Sequence, residues 1–354
     1  MLSKAISLFA ITLLAAGLAG CGHSTHVAYV TVPSTNAVAG YRVDNSTGAF
    51  TRIFGSPFAA GLSPAAVVVH PAGKLAYAAN QGENTISMFK IDSSTGGLNE
   101  VLPRTPSGSG PASLKINAAG SLLFAVNRLS NNISVYGVGS DGKLSEISGS
   151  PFATGPGPGN AILAVSEKFL YVPLSNFASV AGFSVGSDGT LAAIAGSPFA
   201  VGTGPSSLAV DPSGKFLYVA NTLSNTLSVF TIDSSAGGLT PIFGSPFNVG
   251  TAPIALSFDP TGTFLYVANF STSNISGFMI DAATGIPTEI TDSPFAAGTG
   301  PVFLTLDSGN KYLLCANQSA STISVLQINP TTGALTTAQT PSTGSPPTSI
   351  FVQK

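Results

Sequence analysis

Short apolar runs separated by polar turns recur along this chain at a fixed interval. In the copy running from Gly204 to Phe247, the small and aliphatic residues of Ser206–Val210 predict a strand buried on both faces. Asp211-Pro212-Ser213-Gly214 predicts a turn: proline presets φ and glycine supplies a positive φ. A second apolar run, Phe216–Ala220, is followed by a polar gap at Asn221–Asn225 and an alternating run at Thr226–Ile232. Gly-rich Asp233–Gly238 predicts another turn and Leu239–Phe243 a fourth strand, after which Ser245-Pro246-Phe247 leads into the next copy. The position that closes the second run is Val32, Asn80, Asn127, Leu174, Asn221, Asn269 and Asn317, at steps of 47 or 48 residues. The proline of the Ser-Pro-Phe marker gives seven copies as well, at Pro57, Pro106, Pro151, Pro198, Pro246, Pro294 and Pro341, with degenerate Thr-Pro-Ser versions at Pro106 and Pro341.

Four strands per block, repeated seven times, predict an all-β fold: a seven-bladed propeller of four-stranded antiparallel blades, one domain over residues 27–354. The first block opens inside a blade, because Val27-Ala28-Tyr29-Val30 matches strand B, and Pro347–Val352 at the other end matches strand A. The expected ring is therefore closed by a composite blade built from both ends of the chain, which removes an open sheet edge. The recurring Phe58, Phe152, Phe199, Phe247 and Phe295 are expected to pack between neighbouring blades.

Tyr218-Val219-Ala220-Asn221 and Tyr266-Val267-Ala268-Asn269, each preceded by an Asp-Pro-x-Gly turn, resemble the repeats of YVTN-type propellers. The whole repeat region is similar to the seven-bladed lactonase-like family, which includes bacterial 6-phosphogluconolactonases and muconate cycloisomerase-type members. The resemblance implies that an enzymatic member would cluster His, Arg and Glu side chains at one end of the channel. No residue of this sequence matches such a catalytic position, so none is carried over.

Residues 1–20 read differently from the repeats. Lys4 precedes an almost uninterrupted apolar run from Ala5 to Leu18, and Leu18-Ala19-Gly20-Cys21 follows. That pattern predicts an export signal too short to span a membrane comfortably. Small residues before a cysteine resemble the bacterial lipobox, which implies a lipidated Cys21 and a short tether over residues 21–26. By the same resemblance, Gly22 favours an outer membrane where the cell has one. The expected location is thus the cell envelope, with a lipid anchor as the sole membrane contact. Cys315 has no partner once Cys21 is lipidated, so no disulfide framework is expected.

Composition narrows the chemistry. Only 8% of residues are charged, the net charge is −2, and there is no tryptophan. No basic patch supports nucleic-acid binding. Metal-ligand spacings, a P-loop and a nucleophile-elbow motif are absent from the sequence, and neither metal nor cofactor is expected. The three histidines are His23 and His26, expected in the tether, and His70, in a turn where sister copies carry Asp211 and Asp259. Asp92, Asp233 and Asp281 read as turn formers.

The repeat supplies its own control, so departures from it mark candidate chemistry. Lys115 falls where other inner strands show Ala209, Ser257, Ala164 and Val68. Arg128 follows Asn127 in a loop where copies show Thr222, Phe270 and Gln318, and Glu83 lies in the matching loop of the preceding blade. Strand polarity puts the B–C and D–A loops on one face, so Lys115, Arg128 and Glu83 are expected at one rim of the channel. The competing reading is a compensating ion pair or plain solvent exposure. Three functions stay open at this point. The first is a monomeric, lipid-anchored binding or scaffold module holding a ligand or protein at one face. The alternative is a lactone hydrolase or related isomerase; the third is a structural module of the envelope. So few cations are present that efficient hydrolysis of a phosphorylated sugar lactone is not expected.

Overall fold

A computed structural model describes residues 25–164 and 166–353. The segment 1–20, Cys21 and His23 lie outside the described residues. Seven antiparallel sheets stand in sequence order around a central channel. In the copy used above, the strands are Pro205–Val210, Phe216–Asn221, Thr226–Ile232 and Leu239–Pro241, in that spatial order from the channel outward. Strand A lines the channel, and its short, small side chains fit the crowded centre.

Five of the sheets carry a fifth, two-residue strand that begins at the phenylalanine of Ser-Pro-Phe and pairs with strand C, as in Leu227↔Phe247. The two sheets without it are those with the degenerate markers. In the second blade the marker at Pro106 is two residues out of register. Ile86 pairs with Thr105, so Thr105 takes the phenylalanine position and Arg104 the proline position.

Ring closure is as expected. Strand Ser349–Val352 pairs with Thr25–Val32 through Thr31↔Ser349, Val30↔Ile350, Tyr29↔Phe351 and Ala28↔Val352. The Thr31 hydroxyl shares hydrogen bonds with Thr348 Oγ1 (2.8 Å) and Ser349 Oγ (3.0 Å). The first strand starts at Thr25, so His26 is a strand residue paired with Val43 and not part of a tether.

The core is divided among the blade junctions. One apolar cluster fills each of the seven interfaces, and the recurrent phenylalanines join these clusters, as Phe199 does beside Tyr171 and Leu217. The repeat tyrosine links blades as well. The Tyr218 hydroxyl donates to the Gly285 carbonyl in the next blade's C–D turn (2.7 Å), and Tyr29, Tyr77, Tyr171 and Tyr266 do the same with Gly96, Gly142, Gly237 and Gly333. A buried phenol needs a partner, and a tight turn offers a free carbonyl.

The repeat asparagine is buried at the end of strand B. Asn269 Nδ2 donates to Ser276 Oγ and to Asn274 Oδ1, both at 2.9 Å. Gly250 lies directly against the Asn269 side chain, so a methyl group there would collide with Asn269 Cγ and Nδ2. Gly250→Ala should cost about 1–3 kcal/mol through overpacking. A melting curve checks this: an unchanged Tm would mean that the loop retreats freely.

Candidate functional site

The face on which each residue lies follows from its place along strand A, which runs from the D–A and B–C loops to the A–B turns. Cross-strand register aligns into one layer the inner-strand residues that pair with Tyr77, Phe124, Tyr171, Tyr218, Tyr266, Leu314 and Tyr29 of strand B. That layer is Val68, Lys115, Ile162, Ala209, Ser257, Thr305 and Phe351. The position equivalent to Lys115 in the fourth blade is therefore Ile162, which pairs with Tyr171, and not Ala164, which pairs with Phe169. The next layer toward the A–B turns is Val69, Ile116, Leu163, Val210, Phe258, Leu306 and Val352. Every member of this second layer is apolar.

The channel is a cavity of about 460 Å³ lined by Lys115 and by Ser113, Asn160, Ser207, Ser257, Thr305 and Ser349 among others. Lys115 is the one charged residue among them. Among the described residues its ammonium has no ion-pair partner, and removal from bulk water pushes its pKa below the ordinary 10.5. Toward the A–B turns the channel opens into a bowl of about 740 Å³, whose lining shares Ile116, Ser257, Phe258, Thr305 and Phe351 with the channel.

Arg128 stands elsewhere. It is exposed on the B–C loop at the opposite mouth, in a pocket with Ala112, Asn160, Ser206 and Leu223. Ala112 and Lys115 are three residues apart on one strand, roughly 10 Å at about 3.3 Å per residue. Lys115 and Arg128 therefore serve opposite ends of the channel, contrary to the single rim expected from the sequence. The B–C loops share one face as expected, but Lys115 sits at the opposite, A–B end of its strand.

Glu83 is on the Arg128 face but turned away from the channel. Its carboxylate accepts from Thr85 Oγ1 (2.6 Å) and from Arg104 Nη1 (3.2 Å), and the Thr85 hydroxyl is the main reason its pKa is lowered. Arg104 also grips Glu100 with two bonds, Nε to Oε1 at 2.8 Å and Nη2 to Oε2 at 3.1 Å. This triad staples the second blade where Ser-Pro-Phe is missing. Sequence reading missed Arg104 because the marker at Pro106 hid its register.

His70 borders the bowl as a turn residue. Its Nδ1 accepts the Ala72 N–H (3.1 Å), and Nε2 lies 3.1 Å from the Gly120 carbonyl, so both ring nitrogens are engaged. Glu167 and Asp259 border it too, and both serve backbone: Glu167 accepts the Ala118 N–H and Asp259 the Phe264 N–H, each at 2.6 Å. Asp92, Asp233 and Asp281 cap their own turns through Oδ1. Cys315 is buried, with Sγ 3.4 Å from Asn317 Oδ1, and burial raises its pKa, leaving an inert thiol.

The model of the lactonase family, a 7-bladed β-propeller, matches residues 22–159, 151–253 and 247–352. The chain belongs to this family. Solved structures repeat the architecture of this lactonase-family propeller. A Bacteroides uniformis protein provisionally assigned as a 6-phosphogluconolactonase superposes with a TM-score of 0.82 at 21% identity, covering 93% of this chain and 99% of that one. The periplasmic gluconolactonase of Pseudomonas aeruginosa gives 0.79 at 19% identity, over 94% and 99%. Hydrazine synthase of Kuenenia stuttgartiensis gives 0.62 at 15% identity, over 84% and 94%. Likeness at these identities establishes the fold, and the last case shows that the fold carries unrelated chemistry. No curated protein matches the chain in sequence.

Proposed function

We propose that this propeller hydrolyses a small, uncharged lactone in its central channel, with Lys115 as the base. The observation that carries the reading is an unpaired amine set among hydroxyl groups inside the channel of a lactonase-family member. Desolvation disfavours the ammonium, so a larger share of Lys115 is the neutral amine at a given pH. A neutral amine can take a proton from water as the water oxygen attacks the lactone carbonyl carbon. It then returns that proton to the ring oxygen as the ring C–O bond breaks, releasing a hydroxy acid. Ser257 and Thr305, in the same layer, supply O–H donors for the developing oxyanion. Purified protein should therefore turn over an uncharged sugar lactone faster than buffer, and Lys115→Met should lose that increment. Turnover that survives the change would place the chemistry elsewhere.

A phosphorylated substrate fits poorly, since phosphate recognition wants convergent cations and Arg128 is at the far mouth. A second reading is a binding module that holds such a ligand without turnover. It is favoured by the lining of the channel, which holds no histidine or carboxylate side chain among the described residues.

We place the protein in the cell envelope, anchored through Cys21. Thr25 starts strand B on the A–B side, so the tether would leave the propeller on the same face as the bowl. Four residues from Cys21 to Thr25 reach about 14 Å at most. Cys21→Ser should move the protein from the detergent phase to the aqueous phase in a phase-partition assay. Continued detergent partitioning would refute the anchor.

A further inference from the structure

The two layers described above differ in kind. Beneath lies a mixed layer in which Lys115, Ser257 and Thr305 are the polar members; above it, toward the bowl, lies a collar position that is apolar in every blade, with Val69, Ile116, Phe258, Leu306 and Val352 bordering the bowl. Of the collar residues, Ile116, Phe258 and Leu306 are half-buried at the bowl, whereas Val69 and Val352 are buried between blades. The bowl has two carboxylates among its lining residues, Glu167 and Asp259, and no lysine or arginine. An anionic group approaching from this side meets carboxylates and apolar side chains first, with a single cation behind them. Stripping water from a phosphate to pass them is costly, and one amine compensates it poorly. An uncharged ring bearing an apolar chain meets the opposite situation. Its polar head can reach the hydroxyls and amine, while the chain rests on Ile116, Phe258 and Leu306. The bowl's volume of about 740 Å³ lies within the range of small-molecule sites.

We propose that the ligand reaching Lys115 is an uncharged, alkyl-substituted ring compound, held head-inward with its chain against the collar. The lactone identity of the head rests on the hydrolysis reading; the preference for an apolar chain rests on the collar alone. The test is a series of γ-lactones with linear alkyl substituents of increasing length, alongside a phosphorylated sugar lactone. The matching γ-lactams, which resist hydrolysis, are titrated by calorimetry. Burial of each methylene should raise kcat/KM, or tighten lactam binding, by about three- to fourfold over the first few methylenes. Leu306→Ser should flatten that slope and Leu306→Met should restore it, with folding of both verified by melting. Lactam binding with the slope but no turnover would uphold the collar and overturn hydrolysis. Turnover without chain-length dependence, or a preference for the phosphorylated lactone, would overturn the collar and uphold hydrolysis. Neither turnover nor lactam binding would overturn both.

Discussion

Truncation after Ser345 is expected to lower the melting temperature of the propeller by roughly 6–12 °C. The missing strand contributes Ile350 and Val352, which are 3% and 6% exposed, and the four-pair ladder to Thr31–Ala28. Burial of two such side chains is worth about 3–6 kcal/mol, and each kcal/mol shifts Tm by about 2 °C or more in a large domain. The ladder and the Thr31–Thr348–Ser349 hydroxyl cluster add to this. Their loss also leaves the Thr25–Val32 strand with an open inner edge, so self-association should accompany the loss of stability. A calorimetric scan and a sizing column check both effects. A truncated chain that melts with the full-length protein would show that the last strand does not clasp the ring.

Lys115→Met is expected to do two things that usually oppose each other: remove activity and raise stability. An unpaired, half-buried cation in the channel destabilises the fold, and methionine keeps much of the volume without the charge. The gain should be about 1–3 kcal/mol at neutral pH. The sign with pH follows from linkage. Lys115 has a folded-state pKa below its unfolded value, so between the two the unfolded chain binds more protons. The penalty is full below the folded-state pKa and fades as pH rises toward the unfolded value near 10.5. Wild-type stability should therefore gain on that of Lys115→Met as the solution becomes alkaline. Parallel stability curves would mean that the amine is already solvated or paired.

The architecture was legible because strand spacing, turn chemistry and apolar runs all repeat with one period. Even the composite blade could be read from where the pattern starts and stops. Lys115 emerged for the same reason: against six other copies, a charge on an inner strand stands out. What the pattern could not supply was position along the strand. Lys115 is the fifth residue of a six-residue strand, so it belongs to the A–B end of the channel, whereas the loop carrying Arg128 belongs to the other end. The Arg104 triad was hidden because Pro106 looks like the repeat marker while Arg104 occupies the marker's proline register. The collar needed the ladder pairings of all seven blades, since one apolar residue per copy is unremarkable until the copies are stacked in one layer.

Action of a neutral Lys115 amine on a lactone is tested most directly by the pH dependence of turnover. Initial rates of hydrolysis of an uncharged alkyl lactone, corrected for buffer, should rise along a single limb as pH increases. The midpoint should fall below 10.5, the ordinary value for lysine, and the limb should be missing in Lys115→Met but present in Arg128→Ala. A flat profile, or an ascending limb that persists in Lys115→Met, would contradict the account.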